Sequence, residues 1–371
     1  YDGIVYAADH GANIVNCSWG RSGGPSQFEQ DIVNYAVLDN DVVLVAAAGN
    51  GGIDEDHYPS SYENCVSVAS TTSTDSRSSF SSFGFNVDVS APGSNILATD
   101  FDDTYSTQSG TSMASPIAAG CAAMIKSKFP SMNALQVAEQ LRSTADNIYS
   151  VPGNSPYISK LGKGRVNLFR AVTDSISPGV VVKKINVTDG NDGVFVIGDT
   201  LNVSNLLLNL LRPTTNLTCT IAAPTTPFVQ ILNNTHTVGV LSTNDTLSNF
   251  AAPYRIVVLP GTPLNLEVVL RITINDGSWS DVFSFKVIIN EDYININVND
   301  IATSITSKGL TGYNQSGQVQ GLGFRYQGSP TILYEMSLMV GASGTQVSDY
   351  FRGDGATSDE DFSKVQTVAR Q

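Results

Sequence analysis

Gly110-Thr111-Ser112-Met113-Ala114-Ser115-Pro116 is the stretch whose reading organises the rest of this chain. Ser112 heads an apolar run, Met113 to Ile125, in which Ala114, Ile117, Ala118, Cys121, Ala122 and Ile125 recur at helical spacing. Pro116 is expected in the first turn of that helix, where its missing N–H is tolerated, so the helix should start close to Ser112. Gly110 is expected to permit a tight turn and to leave room beside the serine for a bound chain. A serine in this place feels the positive end of the helix dipole, and the unpaired backbone N–H groups beside it can stabilise a developing oxyanion. A Gly/Ser turn that only caps a buried helix is the competing reading, but a generic cap does not require this string.

The string resembles the nucleophile segment of the subtilisin-like serine proteases, a resemblance that implies acyl transfer through Ser112. Ile117 departs from many relatives, which have histidine there, but that position is not the catalytic base. Asp41-Val42-Val43-Leu44-Val45-Ala46-Ala47-Ala48-Gly49-Asn50 reads as a buried parallel strand running into a tight turn. In the family, the asparagine after such an Ala-Gly end supplies the side-chain donor of the oxyanion hole, and Asn50 occupies that place. A plain Asn-Gly-Gly turn over 50–52 is the alternative for that segment alone. Asn13-Ile14-Val15-Asn16-Cys17-Ser18-Trp19-Gly20 resembles the strand whose end pairs with the substrate backbone. The resemblance thus implies that Ser18, Trp19, Gly20, Ala48 and Gly49 bind substrate. A strand added there gains main-chain hydrogen bonds, and Trp19 would offer it an apolar surface. The expected preference is therefore broad and apolar, with no acidic pocket group evident to pair a basic side chain. The competing reading buries Trp19 in the core. The segments 79–84 and 87–93 look like family scaffold.

Residues 1–175 alternate helix and strand patterns: helices over 2–12 and 26–39, strands over 13–18, 41–48 and 65–70, the helix after Ser112, and a helix capped by Ser131. A last short helix follows Gly162-Lys163-Gly164-Arg165-Val166-Asn167. The fold class expected is α/β, an incomplete subtilisin-like doubly wound parallel sheet followed by all-β accessory domains. Ser175-Ile176-Ser177-Pro178-Gly179 marks a boundary. Residues 180–292 show short alternating runs (180–187, 200–208, 217–221, 254–259, 264–274 and 282–289) typical of a fibronectin- or immunoglobulin-like sandwich. Residues 293–371 are expected to form part of a further β-domain, with aromatic-rich strands around 321–326 and 332–340 and an acidic stretch over 354–361.

The chain has 371 residues and a formal net charge of −14, which opposes binding to nucleic acid. No apolar run reaches the length of a membrane span. Cys17, Cys65, Cys121 and Cys219 lack metal-ligand spacing and are expected to be free thiols, with a disulfide among the first three as the lesser reading. Sequons occur at Asn186, Asn202 and Asn216.

A serine nucleophile needs a base, itself oriented by a carboxylate. His10, His57 and His236 are the only histidines, and none lies in the Gly-rich context that carries the base in the family. The resemblance therefore places the triad aspartate and histidine before Tyr1, and the 371 residues alone are expected to be inactive. Asp54, Glu55 and Asp56 could hold a structural calcium through oxygen ligands, with a solvated acidic loop the preferred reading. No cofactor is needed for the chemistry. The function read from the sequence is a secreted serine endopeptidase acting on polypeptides, with an extracellular ligand of the β-domains as a further partner class. The alternative is a secreted β-rich adhesion protein with an inert protease-like half.

Overall fold

The computed structural model describes residues 1–191, 193–306, 311–312, 321–326, 331–333, 335–336, 340–343 and 346–348. The first part of the chain runs through α1 (Asp2–Asp9), β1 (Ile14–Cys17), β2 (Arg21–Ser22) and α2 (Gln27–Asn34), which continues as a π-helical turn over Tyr35–Asp39. Next come β3 (Val43–Ala47), β4 (His57–Tyr58), β5 (Cys65–Thr71), β6 (Val89–Pro92) and the hairpin β7 (Ile96–Thr99) and β8 (Tyr105–Gln108). Three helices complete this part: α3 (Thr111–Lys128), α4 (Ala134–Ser143) and α5 (Leu168–Thr173).

β1, β3, β5 and β6 form a parallel sheet in that order, with Ile14 opposite Val43, Leu44 opposite Cys65 and Val68 opposite Val89. Every residue of β3 and β5 is buried, as expected of central parallel strands covered on both faces. α3 lies against all four strands. Its inward side carries Ala114, Ala118 and Ala122, small residues that let helix and sheet approach closely, and the larger Ile125 into the core.

The start of α4 differs from the sequence reading. Its cap is Asn133, not Ser131: the Asn133 side chain accepts from the Gln136 N–H, and the Gln136 side chain accepts from the Asn133 N–H, both at 3.0 Å. This reciprocal box needs Glu or Gln three residues after the cap. Ser131 is followed there by Ala134.

The second part contains nine strands: β9 (Val180–Thr188), β10 (Thr200–Asn209), β11 (Leu217–Ala222), β12 (Val229–Asn233), β13 (Thr235–Gly239), β14 (Thr246–Ser248), β15 (Tyr254–Val258), β16 (Leu266–Asp276) and β17 (Trp279–Ile289). One antiparallel sheet joins β12, β15, β10 and β14, with β9 on the other edge of β10; a second has the order β13-β11-β16-β17. They share one core that includes Leu201, Leu207, Leu217, Tyr254, Leu270 and Ile272. β12, β13 and β14 were not expected from the sequence; they are short and no more than half-buried, so the apolar alternation that marks the other strands is weak in them.

The two parts meet through ions. Arg142 of α4 binds Glu139 and also reaches Asp281 of β17, and Lys163 Nζ lies 2.8 Å from Asp281 Oδ1. A cavity of about 460 Å³ opens at this junction, lined in part by Asp88, Arg142, Tyr149, Arg271 and Asp281 and by none of the candidate site residues. Beyond it, β18 (Tyr293–Val298), β19 (Ile301–Thr306) and Phe324–Tyr326 form an antiparallel sheet. The strand expected over 332–340 falls only partly within the described residues, and the acidic stretch over 354–361 lies outside them.

Candidate active site

The seven candidate residues converge at the carboxyl ends of two adjacent parallel strands, where ligands of open α/β sheets bind. β1 ends at Cys17 and delivers Ser18, Trp19 and Gly20; β3 ends at Ala47 and delivers Ala48, Gly49 and Asn50. α3 brings Ser112 to the same place as its second residue.

Ser18 and Ser112 hold each other reciprocally. Ser112 Oγ donates to the Ser18 carbonyl at 3.0 Å, and Ser18 Oγ donates to the Ser112 carbonyl at 2.8 Å. The second bond explains Pro116. That residue lies in the second turn of α3, not the first as the sequence reading had it, and its missing N–H deprives the Ser112 carbonyl of its helical donor. The Ser18 hydroxyl fills the vacancy. Gly110 also differs from expectation. Its φ of 163° is ordinary extended backbone, and an added Cβ would come no nearer than 3.5 Å to Met113 Sδ. The glycine is thus not required by a tight turn.

Asn50 is oriented by Thr111, a residue the sequence reading gave no role. The Thr111 N–H and hydroxyl both donate to Asn50 Oδ1, at 2.9 and 3.0 Å. A backbone N–H can bind only the amide oxygen, so the Asn50 side chain has one orientation. Its Nδ2 faces the start of α3, 3.8 Å from the Cβ position of Gly110. The Ser112 N–H, in the first turn, makes no backbone hydrogen bond among the described residues. Two donors, the Ser112 N–H and Asn50 Nδ2, therefore lie near the same point, 3.6 and 3.8 Å from the Cβ position of Gly110.

Trp19 is not core: 46% of its surface is exposed, and its ring meets Tyr1 edge-on at 5.3 Å. Among the described residues, no backbone hydrogen bond engages Trp19 or Gly20, so this segment keeps an edge open to an added strand. Ala48 is buried and donates its N–H to Val68, while Gly49, with φ 105°, makes the turn to Asn50.

No described histidine bonds Ser112. His10 caps α1, with Nδ1 2.7 Å from the Tyr6 carbonyl and its ring stacked on that of Tyr6. His236 sits in β13, within the second part of the chain. His57, in β4, packs against Gly20 and Gly49, a proximity that the sequence reading missed because it depends on pairing of β2 with β4.

The carboxylates of 54–56 do not share a ligand point. Asp54 pairs with Lys160 at 2.6 Å, and Glu55 accepts from the Ser82 and Ser22 hydroxyls. Among the described residues, no three His, Cys, Asp or Glu side chains form a metal-binding group. Glu55 instead lies beside the cleft, with Oε1 3.2 Å from the Cβ position of Gly49. An acidic group is therefore present near the pocket where none was evident from the sequence. All four cysteines are free and buried, and burial pushes the Cys17 thiol up to about 11.

Residues 1–175 match the subtilase family, Peptidase_S8. The chain is 45% identical over 171 residues to thermitase of Thermoactinomyces vulgaris, covering 46% of this chain and 58% of thermitase. It is 39% identical over 171 residues to subtilisin DY of Bacillus licheniformis, covering 45% of this chain and 59% of that protein. A thermophilic serine proteinase of Bacillus sp. (strain AK1) is 41% identical over 172 residues, covering 46% of this chain and 40% of its own length. The chain thus spans less than two thirds of each of these relatives. No helix among the described residues is long and apolar enough to cross a membrane.

Proposed function

We infer that this chain, whose residues 1–175 belong to the subtilase family, carries the nucleophile, the oxyanion donors and the substrate-binding edge of a serine endopeptidase. The observation that carries this reading is the pair of hydrogen bonds from Thr111 to Asn50 Oδ1, which turns Asn50 Nδ2 toward the start of α3, where the Ser112 N–H also lies. In this reaction Ser112 Oγ attacks the carbonyl of a polypeptide lying along Ser18-Trp19-Gly20. Negative charge builds on the carbonyl oxygen between Asn50 Nδ2 and the Ser112 N–H. Collapse expels the amine and leaves an acyl-enzyme on Ser112, which water hydrolyses.

The Ser112 proton needs an acceptor. The Ser18 carbonyl, its present partner, is not a base, and His10 and His236 are engaged on other elements. The triad histidine and aspartate are proposed to come from sequence outside these 371 residues, so that residues 1–371 alone turn over no peptide. The regions 180–292 and 293–371 act as accessory β-domains of a secreted enzyme and meet an extracellular ligand. No cofactor takes part. The alternative, an adhesion protein with an inert protease-like half, draws on the same lack of a base beside Ser112.

Kinetics of the full-length protein distinguish the two. A peptide substrate should be hydrolysed, Ser112→Ala should abolish turnover, and Asn50→Ala should lower kcat far more than it raises KM, because the donor acts mainly in the transition state. Full-length protein without peptidase activity, or activity that persists in Ser112→Ala, would rule out the enzyme reading.

A further inference from the structure

The cavity of about 460 Å³ between the two parts of the chain contains an unpaired cation. β16 and β17 pair so that Arg271 stands opposite Ser284, with Val282 and Lys286 on the same face of the sheet. Lys286 Nζ lies 3.8 Å from Asp54, so this face is turned toward residues 1–175. Arg271, Ser284 and Val282 line the cavity from the second part, and Phe85 and Ile158 line it from the first. Arg142 and Lys163 also line it, but both are paired, Arg142 with Glu139 and Asp281 and Lys163 with Asp281. Arg271 is different. Among the described residues no carboxylate lies within ion-pair reach of its guanidinium, and its Nε is buried without a hydrogen-bond partner. Ser284 is 6% exposed, and its hydroxyl is likewise buried and unpartnered. The anions of the lining are held by other groups: Asp88 accepts from the Ser67 N–H, and Asp281 from Arg142 and Lys163. A guanidinium withdrawn from water without a counter-charge weakens folding, and an anion entering the cavity would offset that loss.

The chemistry of that anion follows from the lining. A guanidinium presents a planar fork that matches a carboxylate through two parallel hydrogen bonds. Asp88 and Asp281 repel a second negative charge, so a monoanion is favoured over a phosphate. Phe85, Ile158 and Val282 offer apolar walls, and the volume falls within the range of small-molecule sites. We propose that the junction cavity is a binding site for a small monocarboxylate with an apolar body, its carboxylate on Arg271 and its body between Phe85, Ile158 and Val282. The ligand would touch both parts of the chain, and the site stands whether or not Ser112 is a nucleophile.

The test uses the full-length protein and calorimetric titration at neutral pH. The probe is 3-phenylpropionate, compared with 3-phenylpropanamide, acetate and inorganic phosphate. The probe should bind about tenfold more tightly than any of the three, as expected of a hydrogen bond to a charged group, and should raise the thermal midpoint. Arg271→Gln should remove that tenfold margin over the amide. Arg271→Lys, which keeps the charge and loses the fork, should retain only part of it. Because the guanidinium has no partner in the protein, both variants should unfold without ligand at a midpoint no lower than that of the wild type. Equal affinity for acid and amide, tighter binding of phosphate, or an undiminished margin in Arg271→Gln would overturn the proposal. So would a lowered midpoint in both ligand-free variants, which would show that Arg271 holds the fold rather than a ligand.

Discussion

Arg142→Met should destabilise the chain by about 3 kcal/mol at pH 8, toward the low end of what removing one partner of a buried ion pair costs. The Arg142 side chain is 17% exposed, that of Glu139 2% and that of Asp281 6%. Glu139 receives two hydrogen bonds from Arg142, at 2.8 and 3.0 Å, and would be left as a buried carboxylate without a bonded cation. Asp281 keeps Lys163 at 2.8 Å, which is why the low end applies. The sign with pH follows from Glu139. Burial raises its folded pKa even with Arg142 present, and losing the arginine raises it further. A carboxyl with a raised folded pKa weakens folding when ionised and stops doing so once protonated. The penalty should therefore shrink as pH falls from 8 to 5. Asp281 moves in the same direction: burial raises its carboxyl while Arg142 and Lys163 hold it below the ordinary value, so losing the arginine lets it rise and its share of the penalty also shrinks on acidification. Trp19 and Trp279 are the only tryptophans and lie one in each part, so Trp19→Phe and Trp279→Phe backgrounds report the two parts separately in urea. A loss of about 3 kcal/mol moves the midpoint by roughly 1–2 M. Adding Glu139→Gln should recover most of the loss at pH 8. A cost below about 1 kcal/mol at pH 8, or a cost that grows on acidification, would show that Glu139 does not depend on Arg142.

Asp88 tests burial elsewhere at the junction. Burial pushes its carboxyl up to about 6 against the opposing bond from the Ser67 N–H, so ionisation weakens folding above that pH and has no effect below the ordinary carboxylate range. Asp88→Asn should raise stability by about 1–2 kcal/mol at pH 8, allowing for its partial exposure, and leave it unchanged at pH 3.5, by urea midpoint. Gly164→Ala should cost on the order of 3 kcal/mol, because φ there is +129° and the new Cβ would overlap the Asp146 carbonyl; a near-normal thermal midpoint would count against the backbone path drawn here. Asn133→Ala should cost about 1 kcal/mol and Ser131→Ala almost nothing, a contrast that identifies the cap of α4.

Local strings revealed more of this molecule than long-range contacts did. The Gly-Thr-Ser-Met-Ala-Ser-Pro string and the apolar run ending in Asn50 could be read because each sits at the junction of a regular element and a turn. The role of Thr111 stood inside that string but was hidden, since a threonine at a helix start has several partners open to it. Pro116 misled because a proline in the second turn is tolerated only when another donor, here Ser18, reaches the freed carbonyl from 94 residues away. His57 and Glu55 read as a polar loop; only β2–β4 pairing across 37 residues of chain puts them beside the glycines. The cap of α4 was legible, since Asn133 and Gln136 have the right spacing and Ser131 does not. Strands β12 to β14 were not, because none of their residues is fully buried and the apolar alternation is weak.

Ser112 is proposed as the nucleophile of an acyl-transfer centre. Its most direct test is peptide mapping by mass spectrometry after the full-length protein has reacted with a serine-directed phosphonate. A single adduct on Ser112 is expected, formed more slowly in Asn50→Ala and absent in Ser112→Ala. An adduct on any other serine, or one that survives Ser112→Ala, would contradict it.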